Sequence, residues 1–276
     1  MKGSTAAGVR RIPILGCGVD DLTLEETVAV VESFVASGRP HRHVCVNADK
    51  VVKASKDPAL RETVNGCDLV SADGMPVVWA SHALGTPLRE RVTGIDLFAA
   101  LMERAARRGW RVYLLGARRE VLERVLAIYR ERLPELVVAG HRDGYWKPEE
   151  EEGVAAAIRD AKPDLLFVAI SSPRKERFLE RWQPVMGVPF AMGVGGSFDV
   201  VAGVVKRAPR WMQRAGLEWL ARFLQEPRRM FRRYFVHDMG FFVLLAREVA
   251  ARRARRAIAF ATVGAATLAW LQWTES

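Results

Sequence analysis

Small and polar residues recur where short, β-branched apolar runs stop. Asn47 follows His43–Val46, and Asp73-Gly74 follows Asp68–Ala72. Gly116 closes Arg111–Leu115, Ser171-Ser172-Pro173 follows Leu165–Ile170, and Gly193-Val194-Gly195-Gly196-Ser197 follows Pro189–Met192. An aspartate such as Asp73 can take a proton, and a neighbouring glycine lets backbone approach closely. A glycine ahead of a helix, as at Gly116, can open a helix N-terminus to phosphate. Each site alone also reads as a turn, because Asp-Gly and Gly-Gly are turn dipeptides in any protein. Several such ends on one sheet point to a shared cleft.

Other chemistries lack their residues. The chain has no His-x-x-x-His, Cys-x-x-Cys or Asp-x-Asp, so no dedicated metal site is expected. No Walker lysine follows a glycine loop, and Gly193–Gly196 does not extend into a dinucleotide fingerprint. Gly-x-Ser-x-Gly is absent, which removes the usual hydrolase elbow. No cofactor is expected. His43, His82 and His141 are scattered and read as structural. The three cysteines, Cys17, Cys45 and Cys67, are too few and wrongly spaced for a disulfide framework, which suits a reducing compartment.

The elements that would position these residues alternate. The Thr23-x-x-Glu26 capping box predicts a helix running to about Ser37. Strands are predicted at the apolar runs above and at Leu136–Gly140, with helices over Arg119–Arg132 and from about Arg174 to Trp182. Strand, helix, strand with helix-length crossovers predicts an α/β fold with a Rossmann-like, mainly parallel sheet flanked by helices. Ligands in such sheets bind beyond the carboxyl ends of the strands. After Lys206 only helical patterns remain, at Trp211–Gln225 and Arg228–Ala251, separated at Pro227. The expected organisation is an α/β domain over 1–205, a basic helical appendage over 206–251, and an apolar tail over 252–276.

Charge divides unevenly along the 276 residues. Before Lys206 there are 28 Lys and Arg against 27 Asp and Glu; from Lys206 onward there are 14 against 5. Almost all of the net +10 therefore lies in the last quarter, and all but one of its basic residues are arginine. Such asymmetry suits phosphate or an anionic surface, or else a solvated helical face. Ala257–Trp273 is apolar and follows Arg252, Arg253, Arg255 and Arg256, which leaves open a tail anchor, an interfacial helix or a helix docked on the protein. No N-terminal targeting signal is expected, because prolines and glycines interrupt Met1–Val19.

The motifs together resemble the WecG/TagA/CpsF glycosyltransferases. In order they are Val46-Asn47-Ala48; Ser71-Ala72-Asp73-Gly74 with Val77-Val78-Trp79-Ala80; and Arg91-Val92-Thr93-Gly94-Ile95-Asp96. Gly140-x-x-x-Gly144-Tyr145, Ser172-Pro173-Arg174-Lys175-Glu176 and Gly193 through Asp199 follow. Arg207-Ala208-Pro209, Gly216-Leu217-Glu218-Trp219 with Arg222, and Glu226-Pro227 with Arg229 complete the series, which spans Ile12 to Tyr234.

The resemblance implies an inverting transfer of N-acetylmannosamine, its uronic acid or a related sugar. The donor would be a UDP-sugar and the acceptor N-acetylglucosamine on undecaprenyl diphosphate, in teichoic acid or other surface polysaccharide synthesis. It places the enzyme at the cytoplasmic face of the bacterial inner membrane, without nucleic acid, and leaves a homo-oligomer open. Asp73 matches the proposed base, and Arg91 is implied to meet the departing diphosphate. Arg222, Arg229 and Arg232 are the appendage's candidates for diphosphate. Cys45, Asn47, Gly74, Gly116, Lys175, Glu176, Gly195 and Asp199 are implied to bind substrate. Cys45 stands where relatives often carry threonine, Ser171-Ser172 replaces a glycine-containing turn, and Lys175 replaces a glutamine. Trp211, Trp219, Phe223, Phe231, Tyr234 and Phe235 are expected to form a lipid-facing surface, or in part simply core. The competing readings are a Rossmann-like NAD or S-adenosylmethionine enzyme using the Ile14-Leu15-Gly16-Cys17-Gly18 fragment, and a non-catalytic basic adaptor for membrane or nucleic acid.

Overall fold

The structure, a computed structural model, describes residues 8–232, 234 and 238–255, without the side chains of Arg214 and Arg229. Residues 256–276 of the expected apolar tail, and Phe235, lie outside the described residues.

The chain begins with an antiparallel hairpin, β1 (Arg11–Ile14) and β2 (Cys17–Asp20). Its turn residues Leu15 and Gly16 both have positive φ, the geometry a two-residue hairpin requires. This corrects the reading of Ile14–Gly18 as part of a glycine-rich nucleotide loop, which needs a strand followed by a helix. Asp20 ties the hairpin down. It takes a bidentate pair from Arg11 at 2.7 and 2.9 Å and accepts the Val70 backbone N–H at 2.7 Å.

Helix α1 (Leu24–Ser37) follows, and both hydrogen bonds of the predicted capping box are formed. Then come β3 (His41–Val46), α2 (Ala48–Lys56), α3 (Pro58–Asn65), β4 (Leu69–Ala72), α4 (Met75–Ala83) and α5 (Gly94–Arg108). The second half continues with β5 (Arg111–Gly116), α6 (Arg119–Arg132), β6 (Val137–Arg142), α7 (Glu151–Ala161), β7 (Leu165–Ala169), α8 (Arg174–Met186), β8 (Phe190–Gly193) and α9 (Ser197–Val201). The six strands β3 to β8 form one parallel sheet in the order β4-β3-β8-β7-β5-β6. All carboxyl ends therefore share one edge.

Both faces of the sheet are covered, and β7 is buried along its whole length, as an unbroken apolar run in a parallel sheet should be. On one face α1, α5, α6 and α9 pack over Phe98, which meets Phe167 edge-on at a ring-centroid distance of 4.8 Å. On the other, α7 and α8 enclose Phe178, Leu179 and Ile158, while the hairpin and α2 to α4 enclose Val46, Val51 and Val70.

The C-terminal segment is more broken than the sequence pattern predicts. The expected helix over Trp211–Gln225 is two, α10 (Arg210–Arg214) and α11 (Glu218–Gln225). Gly216 separates them with φ +73°, and a Cβ there would come within 2.7 Å of Met75 Cγ. The turn thus closes tightly onto the start of α4. The second expected helix begins as α12 (Pro227–Phe231), and helix is described again over 239–255. That last helix is not detached. Phe241 is fully buried in the cluster beneath the hairpin, and Arg252 donates to the Leu84 carbonyl at 2.9 Å. Among the described residues, no helix is long and apolar enough to cross a membrane.

Candidate active site

The carboxyl edge of β3 and β4 forms the floor of a cleft of about 350 Å³. Asp73 sits at its base, where its backbone N–H extends the β3–β4 ladder by donating to the Val46 carbonyl at 2.8 Å. Gly74, at φ +104°, then turns the chain into α4, whose first residues Met75 and Pro76 also line the cleft. Asn47 lines it from the end of β3, while its side-chain oxygen caps α2 by accepting the Lys50 N–H at 2.9 Å. Thr93 caps α5 and donates to Asp96 at 2.6 Å.

The facing wall comes from the C-terminal segment. Glu218, Trp219 and Arg222 on α11 project into the cleft with Tyr234, Asp238, Met239 and Phe242. Arg91 Nη1 pairs with Glu218 Oε2 at 2.5 Å, and Arg91 Nη2 reaches the Gln213 carbonyl at 3.4 Å. Arg207 lies between Glu218, 3.5 Å away, and Asp96, which it grips at 2.7 and 2.8 Å. Residues 91–96, 207 and 218 thus form one charged network that pins the helical segment to the α/β domain. Arg222 is exposed and its guanidinium makes no hydrogen bond with a described side chain.

Burial pushes the Asp73 carboxyl above the usual carboxylate range, with Arg222 and Arg91 opposing and Glu218 reinforcing the shift. A carboxylate of raised basicity, still open to the cleft, is suited to accept a proton.

Behind the floor lies a second, buried group. Lys50 and Glu176 pair at 2.5 Å, and Lys175 stands 3.7 Å from the same carboxylate oxygen. The Lys175 stem crosses Gly193, where a Cβ would lie 3.0 Å from it, and its ammonium ends beside Gly195. Burial and then Lys50 lower the Lys175 pKa. Burial alone would raise that of Glu176, but the two lysines more than offset it and hold the group ionised. His43 is pushed down to about 3 by burial and the two lysines, so its ring is neutral; it contacts Ser71 at 2.9 Å. Burial raises the Cys45 thiol to about 11, which makes it a packing residue rather than a nucleophile.

The structure brings together Asn47, Asp73, Gly74, Arg91 and Arg222 in one cleft, with Cys45, Lys175, Glu176 and Gly195 in the layer behind it. Gly116, Asp199 and Arg232 do not line the cleft. A Cβ at Gly116 would fall 2.5 Å from the Ala169 carbonyl oxygen, so this glycine serves the close approach of β5 to β7. Asp199 lies on α9, where its backbone carbonyl accepts from Val204 and Val205. Arg232 is exposed, and Arg229 is placed in α12 by its backbone alone. The sequence motifs contain Trp79, Thr93 and Glu218 without marking them as site residues. For Glu218 a signal existed: it is one of five acids in the arginine-rich last quarter.

These features define an α/β enzyme whose ligand site lies at the carboxyl edge of a parallel sheet and is completed by a C-terminal helical segment. The chain belongs to the WecG/TagA/CpsF family of glycosyl transferases, whose model matches residues 12–255. It is 36% identical over 186 residues to the N-acetylglucosaminyldiphosphoundecaprenol N-acetyl-beta-D-mannosaminyltransferase of Bacillus spizizenii (strain W23), covering 67% of this chain and 72% of that protein. It is 33% identical over 199 residues to the protein of the same name from Bacillus subtilis (strain 168), covering 72% and 77%.

Proposed function

We propose that this enzyme moves N-acetylmannosamine, or a closely related sugar, from a UDP donor to N-acetylglucosamine carried on undecaprenyl diphosphate, with inversion at C1. One observation carries the reading: Asp73, of raised basicity, shares a single cleft with Arg91 and Arg222. The names of the two Bacillus relatives supply the sugar and the acceptor.

In the proposed reaction the acceptor hydroxyl oxygen attacks C1 from the face opposite the diphosphate. Asp73 takes the hydroxyl proton as the new C–O bond forms. The bond from C1 to the diphosphate breaks, and UDP leaves with the electron pair. The charge that develops on it meets Arg91, held at the cleft by Glu218 and the Gln213 carbonyl, and Arg222 on α11. Asn47, Gly74 and Thr93 line the same space and would hold the sugar. Lys175, Glu176, Cys45 and Gly195 shape the wall behind it.

The acceptor's lipid keeps it in a membrane, so the enzyme must reach the bilayer surface. Trp211, Leu224 and Phe231 are well exposed on α10 to α12, and Trp219, Met239 and Phe242 flank the cleft mouth with them. Interleaved with arginines, this surface suits the headgroup layer at the cytoplasmic face. Purified enzyme, mixed with UDP-N-acetylmannosamine and a lipid-diphosphate N-acetylglucosamine acceptor, is expected to yield the disaccharide-linked lipid and UDP. Failure with this pair, alongside turnover of another donor nucleotide, would refute the reading.

A further inference from the structure

The charged network at the cleft contains a carboxylate that a diphosphate-handling site should not want. Glu218 lines the cleft and lies against Arg91, the cation assigned to the departing diphosphate under the reading above, on which this inference rests. An anion entering beside Arg91 meets that carboxylate's charge directly. The surroundings supply a way out. Glu218 Oε1 already stands 3.5 Å from Arg207, so the carboxylate has a second cation available when Arg91 turns away. Arg91 in turn makes a longer second contact with the Gln213 carbonyl, at 3.4 Å, which remains to it when Glu218 turns away. Arg207 is held from its far side by Asp96 and is not itself drawn into the cleft.

We propose that Glu218 is a stand-in for the diphosphate: it engages Arg91 before substrate binds, keeps that side chain in place, and yields it to the substrate's phosphates by shifting onto Arg207. Glu218 is thus a positioning residue that tempers diphosphate affinity. Two anions compete for one guanidinium, and the loser has a place to go. The device favours release of UDP after transfer.

The test is calorimetric titration of the full chain with UDP. Glu218→Gln keeps the shape and removes the charge, so it is expected to bind UDP about five-fold more tightly than wild type, the size of one close charge repulsion in a solvated site. In the Arg91→Gln background, Glu218→Gln should tighten UDP binding little or not at all over Arg91→Gln alone, because the competition runs through Arg91. Glu218→Asp retains the charge and should show no gain. A folded Glu218→Gln protein that binds UDP equally or more weakly overturns the proposal, since a merely structural role for Glu218 predicts that result. So does a gain in Glu218→Asp matching that of Glu218→Gln, which would trace the effect to shape. Wild type that fails to bind UDP at all would remove the diphosphate reading as well.

Discussion

At the scale of single residues, Asp73 sets function against stability. Its carboxyl binds a proton more tightly in the folded chain than in the unfolded one, because burial outweighs the attraction of Arg222 and Arg91. The resulting destabilisation is full above the folded pKa and fades as pH falls toward the ordinary carboxylate range. Asp73→Asn should therefore melt at a higher temperature than wild type at neutral pH, with the difference closing in acid; thermal melts across pH check this. The same variant is expected to lose transfer by about 10²–10⁴-fold while still binding UDP-sugar, since its amide cannot take the proton. For the wild type, kcat/KM should fall in acid with a midpoint above the usual carboxylate value, because the base must be unprotonated to act. Arg222→Gln is expected to lower transfer by about 10- to 100-fold through loss of a charged hydrogen bond to the leaving group. With arginines in that role, steady-state transfer should survive excess EDTA; activity abolished by EDTA and restored by Mg²⁺ or Mn²⁺ would assign the leaving group to a metal instead.

At the scale of elements, the segment from α10 to α12 serves two neighbours at once. Its inner side carries Glu218 and Arg222 to the cleft, and its outer side shows Trp211, Leu224 and Phe231. Replacing Trp211 and Leu224 together with serine should release the protein from anionic liposomes in a sedimentation assay while leaving its thermal melt unchanged, because both side chains are exposed. The strands and their polar ends were legible in the sequence because each buried parallel strand is a short apolar run closed by a residue of distinct chemistry. Asp73 and Asn47 stood out for that reason. The hairpin at Leu15-Gly16 was less legible, since a lone glycine turn has the same local composition whether a strand or a helix follows. Neither was the pairing of Arg91 with Glu218, 127 positions apart, written in any local pattern. Gly116 is ambiguous for a related reason: a glycine ahead of a helix reads as room for phosphate, and in the fold its missing Cβ also admits the Ala169 carbonyl.

At the scale of the whole molecule, the C-terminal segment belongs to the fold as well as to the site. Phe241 inserts into the cluster formed with Val46, Val51 and Val70, so the helix over 239–255 shares a core with the first strands of the sheet. Phe241→Ala is expected to lower stability by about 3–5 kcal/mol, measurable by denaturant unfolding. A chain ended before Lys206 should lose transfer and liposome binding together, and should also melt at a lower temperature than the full chain.

The sheet order has a consequence for how the chain is made. Strand β3 lies inside the sheet, next to the edge strand β4, yet one of its two partners is β8, the last of the described strands to be synthesised. A ribosome adding roughly 5–20 residues per second needs about 7–30 seconds to go from one strand to the other. Throughout that interval the apolar edge of β3 waits without its neighbour, a template for pairing with the wrong chain. Stalled nascent chains that stop short of Phe190 are expected to remain open to protease. Chains extended far enough to clear the exit tunnel past Gly193 should become resistant in a single step, which places demand for holding chaperones on the middle of translation rather than its end.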